Sequence, residues 1–176
     1  MSKVDSYTLK ELRSSNRNIM ENAFNIIYKT YAPLVSYVAF DILHNKEDME
    51  DIVNETFLKM FEHRYLLKDD KSLKSFLTTI AHNAAINKAK LNQYNAPLEV
   101  EVASESTSDQ VSDFNSFIAK YKSFLDEEEI KYLVLHLLYD FSFKEIAAFM
   151  KSSVNSISSK YRRAIQKIKA HYKEAK

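Results

Sequence analysis

Apolar side chains recur along the chain at steps of three and four, the spacing that lays one stripe on a helix of 3.6 residues per turn. Ile19, Ala23, Phe24, Ile27 and Tyr31 share one face and predict a helix. Pro33, at a favoured first-turn position, opens a second through Leu34, Val35, Val38, Ala39, Ile42 and Leu43. Asn45 caps a third, along which Met49, Ile52, Val53, Phe57 and Met60 form a core-facing stripe. A polar, basic connection, HRYLLKDDK, precedes SLKSFLTTIAHNAAINKAK, where Leu73, Phe76, Leu77, Ile80, Ala84 and Lys88 keep helical period. Four helices in residues 1–92 predict one bundle.

The period breaks in QYNAPLEVEVASESTSDQ, whose serines, Pro97 and acids Glu99, Glu101, Glu105 and Asp109 suit an extended tether. It resumes with Val111, Phe114, Phe117, Ile118 and Tyr121, followed by DEEEIKYLVLHLLY, which Asp126 and Glu129 open as a capping box. The expected fold is all-α: two small helical domains, 1–92 and 112–176, joined by a flexible acidic linker, 93–111.

The segment SFKEIAAFMKSSVNSISSKYRRAIQKIK, Ser142 to Lys169, has helix-turn-helix spacing. Ser142 and Glu145 form a capping box, a short helix carries Ile146 and Ala147, and Ser153 caps a longer helix after a tight KSS connection. In that longer helix Val154, Ile157, Tyr161, Ala164, Ile165 and Ile168 are expected to face inward. Asn155, Ser156, Ser158, Ser159, Lys160, Arg162, Arg163 and Gln166 face out, and these residue types contact phosphates and base edges. Asp140 and Lys151 stand where a turn glycine is usual.

Opposite the stripe of the third helix lie Glu47, Asp51, Asn54, Glu55 and Glu62, and steps of 100° put Leu58 in their middle. A solvated face, an acid or metal site, and a docking face with Leu58 as anchor all fit this arrangement.

Composition narrows the choice. The chain contains no cysteine, which removes disulfides, thiolate metal sites and thiol nucleophiles, and no glycine, which removes phosphate-cradling glycine loops. None of the five histidines stands three residues after a glutamate, so a carboxylate-bridged metal bundle lacks its motif. No serine or histidine comes with an identifiable base and orienting acid, so no enzymatic activity and no cofactor are expected. With 45% hydrophobic and 28% charged residues, and no apolar run of bilayer length, a soluble protein without membrane insertion is expected. The first residues have no apolar h-region, which points to the cytoplasm. A net charge of +1 conceals segregation: Asp41 to Glu62 holds seven acids against two bases, and Ser152 to Lys176 seven bases against one acid.

Two segments together resemble extracytoplasmic-function (ECF) sigma factors, the small initiation subunits of bacterial RNA polymerase. DMEDIVNETFLKMF is similar to the acidic signature of their region two. SLKSFLTTIAHNAAIN looks like the promoter-melting helix of that region, with Phe76 where tryptophan is usual and Ala81-His82-Asn83 for Ala-Arg-Asn. The helix-turn-helix segment resembles region four, including Glu145-Ile146-Ala147 and Arg163-Ala164.

The resemblance implies that Asp51, Asn54, Glu55 and Leu58 dock on the clamp coiled coil of the largest subunit of core RNA polymerase, with the flap as a further contact. It implies a start-proximal promoter surface of Arg64, Lys71, Lys74, Thr79, His82, Asn83 and Lys88. Asn155, Ser156, Ser158, Ser159, Lys160, Arg162 and Arg163 then meet the upstream promoter element. An anti-sigma factor is a further partner that the family admits. The competing reading is a free-standing helix-turn-helix repressor or activator, which has no need of Leu58 in an acidic ring.

Overall fold

The structure, a computed structural model, describes residues 4–95 and 119–174. The chain separates into two compact units, drawn from Ser2–Ser106 and Thr107–Lys176. Among the described residues every regular element is helical.

In the first unit α1 spans Ser6–Glu11, α2 Arg17–Leu43, α3 Lys46–Glu62 and α4 Asp70–Asn95, with a 3-10 turn at Arg64–Leu66 before α4. Side-chain caps set the helix starts. Asp5 accepts from the backbone N of Thr8 at 2.7 Å, Asn16 from that of Asn18 at 3.0 Å, and Asn45 from that of Asp48 at 2.9 Å. Asp69 and Ser72 exchange bonds at the start of α4, since the carboxylate accepts from Ser72 N at 2.7 Å and the hydroxyl from Asp69 N at 3.0 Å. These bonds hold the Asp69 carboxyl below its ordinary range.

Pro33 does not open a helix; it lies inside α2, so the two helices expected before Asn45 are one. An interior proline costs roughly 3 kcal/mol. Tyr31, Ala32, Leu34, Val35, Val38 and Ala39 are buried on both sides of it, and that packing outweighs the lost bond. The fourth helix of the unit is instead α1, whose Leu9 and the following Leu12 are buried.

The core of this unit joins Ile27, Leu34 and Val35 of α2, Ile52, Phe57 and Met60 of α3, and Leu73 and Leu77 of α4. Ile19, expected on the inner face of its helix, is exposed. On α4 the fully buried small residues are Ala81 and Ala85, with Ala84 half-buried. Phe24 and Tyr28 pack against the Phe57 ring at 6.2 and 4.6 Å. Phe61 meets Phe24 edge-on at 6.1 Å. Contacts of this kind add about 0.5–1.5 kcal/mol each beyond area burial.

Helix α4 runs to Asn95, past the expected domain limit at 92. The rest of the expected linker, and the apolar set Val111, Phe114, Phe117 and Ile118, lie outside the described residues.

The second unit contains α5 (Glu127–Leu133), continued by a π-helical stretch at Val134–Leu138, then α6 (Phe143–Phe149) and α7 (Val154–Glu174). Both expected capping boxes are present, at Asp126 with Glu129 and Ser142 with Glu145, and Ser153 accepts from Ser156 N at 3.1 Å. Ile157 and Ala164 of α7 are buried, whereas Val154, expected inside, is exposed. His136 donates from Nδ1 to the Phe141 carbonyl at 2.6 Å. Its ring lies 4.5 Å from Phe143 and 4.9 Å from Tyr161, which ties α5, α6 and α7 together. No described helix is long and apolar enough to cross a membrane.

Asp140 and Lys151 both adopt the left-handed conformation, at φ 55 and 49°. At Lys151 the ending is a Schellman motif: Ser152 N donates to Ala147 O at 2.9 Å and Lys151 N to Ala148 O at 3.4 Å. A side chain with a Cβ pays for that geometry. Lys151→Gly should therefore stabilise the protein by about 1 kcal/mol, read as a raised urea midpoint of the second unit's transition at unchanged slope. A lowered midpoint would show that Lys151 contributes more through its side chain than its backbone loses.

Candidate functional site

With the stripe of Ile52, Val53, Phe57 and Met60 facing inward, the opposite side of α3 is open. Leu58 is 59% exposed there. Asp51 and Asn54 are exposed and Glu55 half-buried. The Glu55 carboxylate is engaged by Lys59 Nζ at 2.5 Å within the same helix. Asp51 and Asp48 are tied to α4, since Lys88 Nζ lies 3.0 Å from Asp48 and 3.6 Å from Asp51, and Asn92 donates to Asp48 at 2.7 Å. Bonding to Asp48, more than the charge of Asp51, holds the Lys88 ammonium above its ordinary range.

Lys88 is therefore a neighbour of the acidic face and not part of a separate basic group, as its sequence position had suggested. The fold-back of α4 along α3 brings together residues about forty positions apart, which helical period cannot anticipate.

The expected start-proximal residues divide in a similar way. Thr79 and Asn83 are exposed on one face of α4, one turn apart, with His82 half-buried beside them. Lys71 is exposed at the start of the helix. Lys74, expected on that surface, is only 8% exposed and belongs to the inner side of α4. Arg64 turns its guanidinium onto the rings of Phe61 and Tyr65, at 4.3 and 4.7 Å, and donates to Phe61 O at 2.8 Å. Tyr65 and Leu66, which the sequence reading passed over, stand out of this turn at 62% and 68% exposure. Three apolar residues in a row, Tyr65, Leu66 and Leu67, within a polar connection are the signal that could have found them.

On α7 the outward positions Asn155, Ser159, Arg162 and Arg163 are exposed, and Ser156 and Ser158 are half-buried. Lys160 is turned aside to α5, where it meets the Glu128 carboxylate and the Tyr132 hydroxyl, the latter at 3.3 Å. Lys167 pairs with Glu129 at 2.7 Å. Neither lysine is held ready for a phosphate. Asn155, Arg162, Gln166, Lys169 and Lys173 are all exposed, and their helical steps align them as one strip, so the basic edge extends beyond the expected set to Lys169 and Lys173.

Residues 27–93 match the family described as Sigma-70 region 2. The RNA polymerase sigma factor YlaC of Bacillus subtilis (strain 168) is 23% identical over 152 residues, covering 81% of this chain and 88% of YlaC. The ECF RNA polymerase sigma factor SigM of the same organism is 26% identical over 153 residues, covering 83% of this chain and 93% of SigM. Residues 27–93 are thus similar to sigma-70 region 2, and the chain is similar over most of its length to ECF sigma factors. Its fold is also that of a solved structure, CnrH in complex with the cytosolic domain of CnrY, with a TM-score of 0.55 at 17% identity over 98% of this chain and 99% of that one. The matched segment contains α3, the 3-10 turn and most of α4, and therefore both the acidic face and the exposed Thr79 and Asn83.

The pairs on α7 give a pH signature. Bonding to Lys160 lowers the Glu128 carboxyl below its usual value of 4.5. A depressed acid contributes stability that is present above its unfolded pKa and lost as pH falls through its folded one. The second unit should therefore lose thermal stability below pH 4.5 in part through Glu128, and Glu128→Gln should flatten that part of the melting-temperature profile. An unchanged profile would remove the pair from the stability of the unit.

Proposed function

We propose that this chain is an ECF sigma factor that docks on core RNA polymerase through the acidic face of α3 and meets promoter DNA with two separate surfaces. As an ECF sigma factor it binds core polymerase and directs promoter recognition and initiation. The residue assignment rests above all on Leu58, a large apolar side chain left exposed among Asp51, Asn54 and Glu55. An apolar anchor with a charged rim is the arrangement that desolvates well against a basic partner. The clamp coiled coil of the largest subunit is that partner, and the flap is a second polymerase contact.

The connection from His63 and the exposed face of α4 at Thr79 and Asn83 take the start-proximal element, where unpaired bases can be captured by stacking and hydrogen bonding. Helix α7 enters the major groove of the upstream element, with Asn155 and Ser159 toward base edges and Arg162 and Arg163 toward phosphates. Strand opening draws on binding energy within the assembled polymerase, in the cytoplasm, and asks for no catalytic residue or cofactor. The solved complex of CnrH with the cytosolic domain of CnrY supports an anti-sigma factor as a further partner of this chain. A free-standing repressor with the same helix-turn-helix would leave the acidic face without a role.

Leu58→Ala and Asp51→Arg should each abolish capture by core polymerase in a pull-down, a loss of roughly 2 kcal/mol or more, with the circular dichroism of the parent. Undiminished capture of both variants would remove the docking assignment. Asn83→Ala should leave capture and upstream binding intact but lower transcription from duplex promoters, with partial recovery on a template pre-melted at the start-proximal element. Parental transcription from the duplex would end the role given to Asn83. Arg162→Ala should weaken binding to all upstream sequences alike and reduce the slope of log affinity against log salt by about 1.

A further inference from the structure

The segment before residue 27 lies outside the matched family region and received no role from the sequence. We propose that this segment is a brace for the promoter-facing connection, with Arg13 as its positioning residue; the inference rests on the reading that this connection meets the start-proximal element. Arg13, just beyond α1, donates from Nε to Arg64 O at 3.2 Å and from Nη2 to Leu67 O. Those two carbonyls bracket the 3-10 turn at Arg64–Leu66. At the other end of the connection, Asp70 accepts from Val4 N at 2.9 Å and from the Tyr31 hydroxyl. One N-terminal segment therefore ties both ends of the connection. Val4, Leu9 and Leu12 on its side and Leu67 on the other are all buried.

The brace grips backbone and a buried leucine and leaves the side chains of Tyr65 and Leu66 outside. A 3-10 turn of three residues has weak bonds of its own, here Leu66 N to His63 O at 2.9 Å and Leu67 N to Arg64 O at 3.4 Å. An aromatic and an aliphatic side chain can discriminate between unpaired bases only from a backbone that holds still, because ordering the turn at the moment of contact would cost affinity for every base. Arg13 supplies that order in advance. Its planar fork reaches two carbonyls at once, which a lysine ammonium on a flexible stem cannot do with the same geometry.

The test uses the full-length protein with core polymerase and duplex templates carrying each of the four bases at each start-proximal position. Arg13→Met keeps the packed stem and removes both donors. Its core affinity and its base preferences at the upstream element should stay parental. Its ratio of transcription between the best and next-best start-proximal base should fall by about fivefold, the equivalent of one net hydrogen bond. Arg13→Lys should recover an intermediate ratio. A destabilised protein would lower output from all templates alike and leave the ratio intact, so a purely structural role predicts no change.

Tyr65→Ala combined with Leu66→Ala separates the two ideas. If that variant loses discrimination while Arg13→Met keeps it, the brace is wrong and the reading connection stands. If both keep the parental ratio, the connection is not a reader and the inference falls with that reading. A fall in core affinity of Arg13→Met equal to its fall in ratio would also overturn the proposal, because the segment would then be holding the docking face. Should Arg13→Met fail to fold, hydrogen exchange on Arg13→Lys decides: faster exchange confined to residues 63–70 supports the brace, and parental exchange there overturns it.

Discussion

The rotation of α3 about its own axis is the constraint on which the rest of the molecule depends. Burying Phe57 contributes roughly 1.5–3 kcal/mol, and Phe24 and Tyr28 close around its ring. A turn of 100° would take Phe57, Val53 and Met60 out of the core together. With the rotation fixed, Leu58 has nowhere to go but solvent, between Asp51, Asn54 and Glu55. The exposed acidic face is thus a by-product of the core: the same helix that must bury one stripe necessarily presents the other.

Charge pairing within each unit then decides which of the many ionic side chains remain available. Lys88 with Asp48 and Asp51, and Lys160 with Glu128, are half-exposed or exposed pairs, and such pairs stabilise little; Lys167 reaches the buried Glu129. Their larger effect is selection. On α7 they draw lysines to the α5 side and leave a strip of Asn155, Arg162, Gln166, Lys169 and Lys173 facing outward. On α3 they moderate the acidic face at the end nearest Asn45, and Lys59 does the same for Glu55 beside the exposed Leu58.

A chain without glycine must also end its helices by other means. His44, Asp140 and Lys151 take the left-handed conformation themselves. The last two flank α6, so the strain is stored on either side of the first helix of the helix-turn-helix and offset by the buried contacts of Ile146, Ile157 and Ala164. His136, bonded to the Phe141 carbonyl and stacked on Phe143, adds a polar fixing point to the same corner.

Much of this was legible in one dimension because its causes are local. Caps at Asn45, Asp126, Ser142 and Ser153 act over three residues, and the stripe of α3 follows from a period of 3.6, so helix starts, the inner faces and the exposed ring around Leu58 could be read directly. The unusual backbone at Asp140 and Lys151 was legible for the same reason, since a turn needs its special residue at a fixed offset. Pro33 misled because its local preference for a first turn was overridden by tertiary burial on both sides of it. Lys74, Lys88, Lys160 and Arg13 could not be read at all. Each is decided by a partner or a wall of the core that the chain brings near only after folding, and a charged side chain long enough to reach several neighbours carries no record in its sequence position of which one it will find.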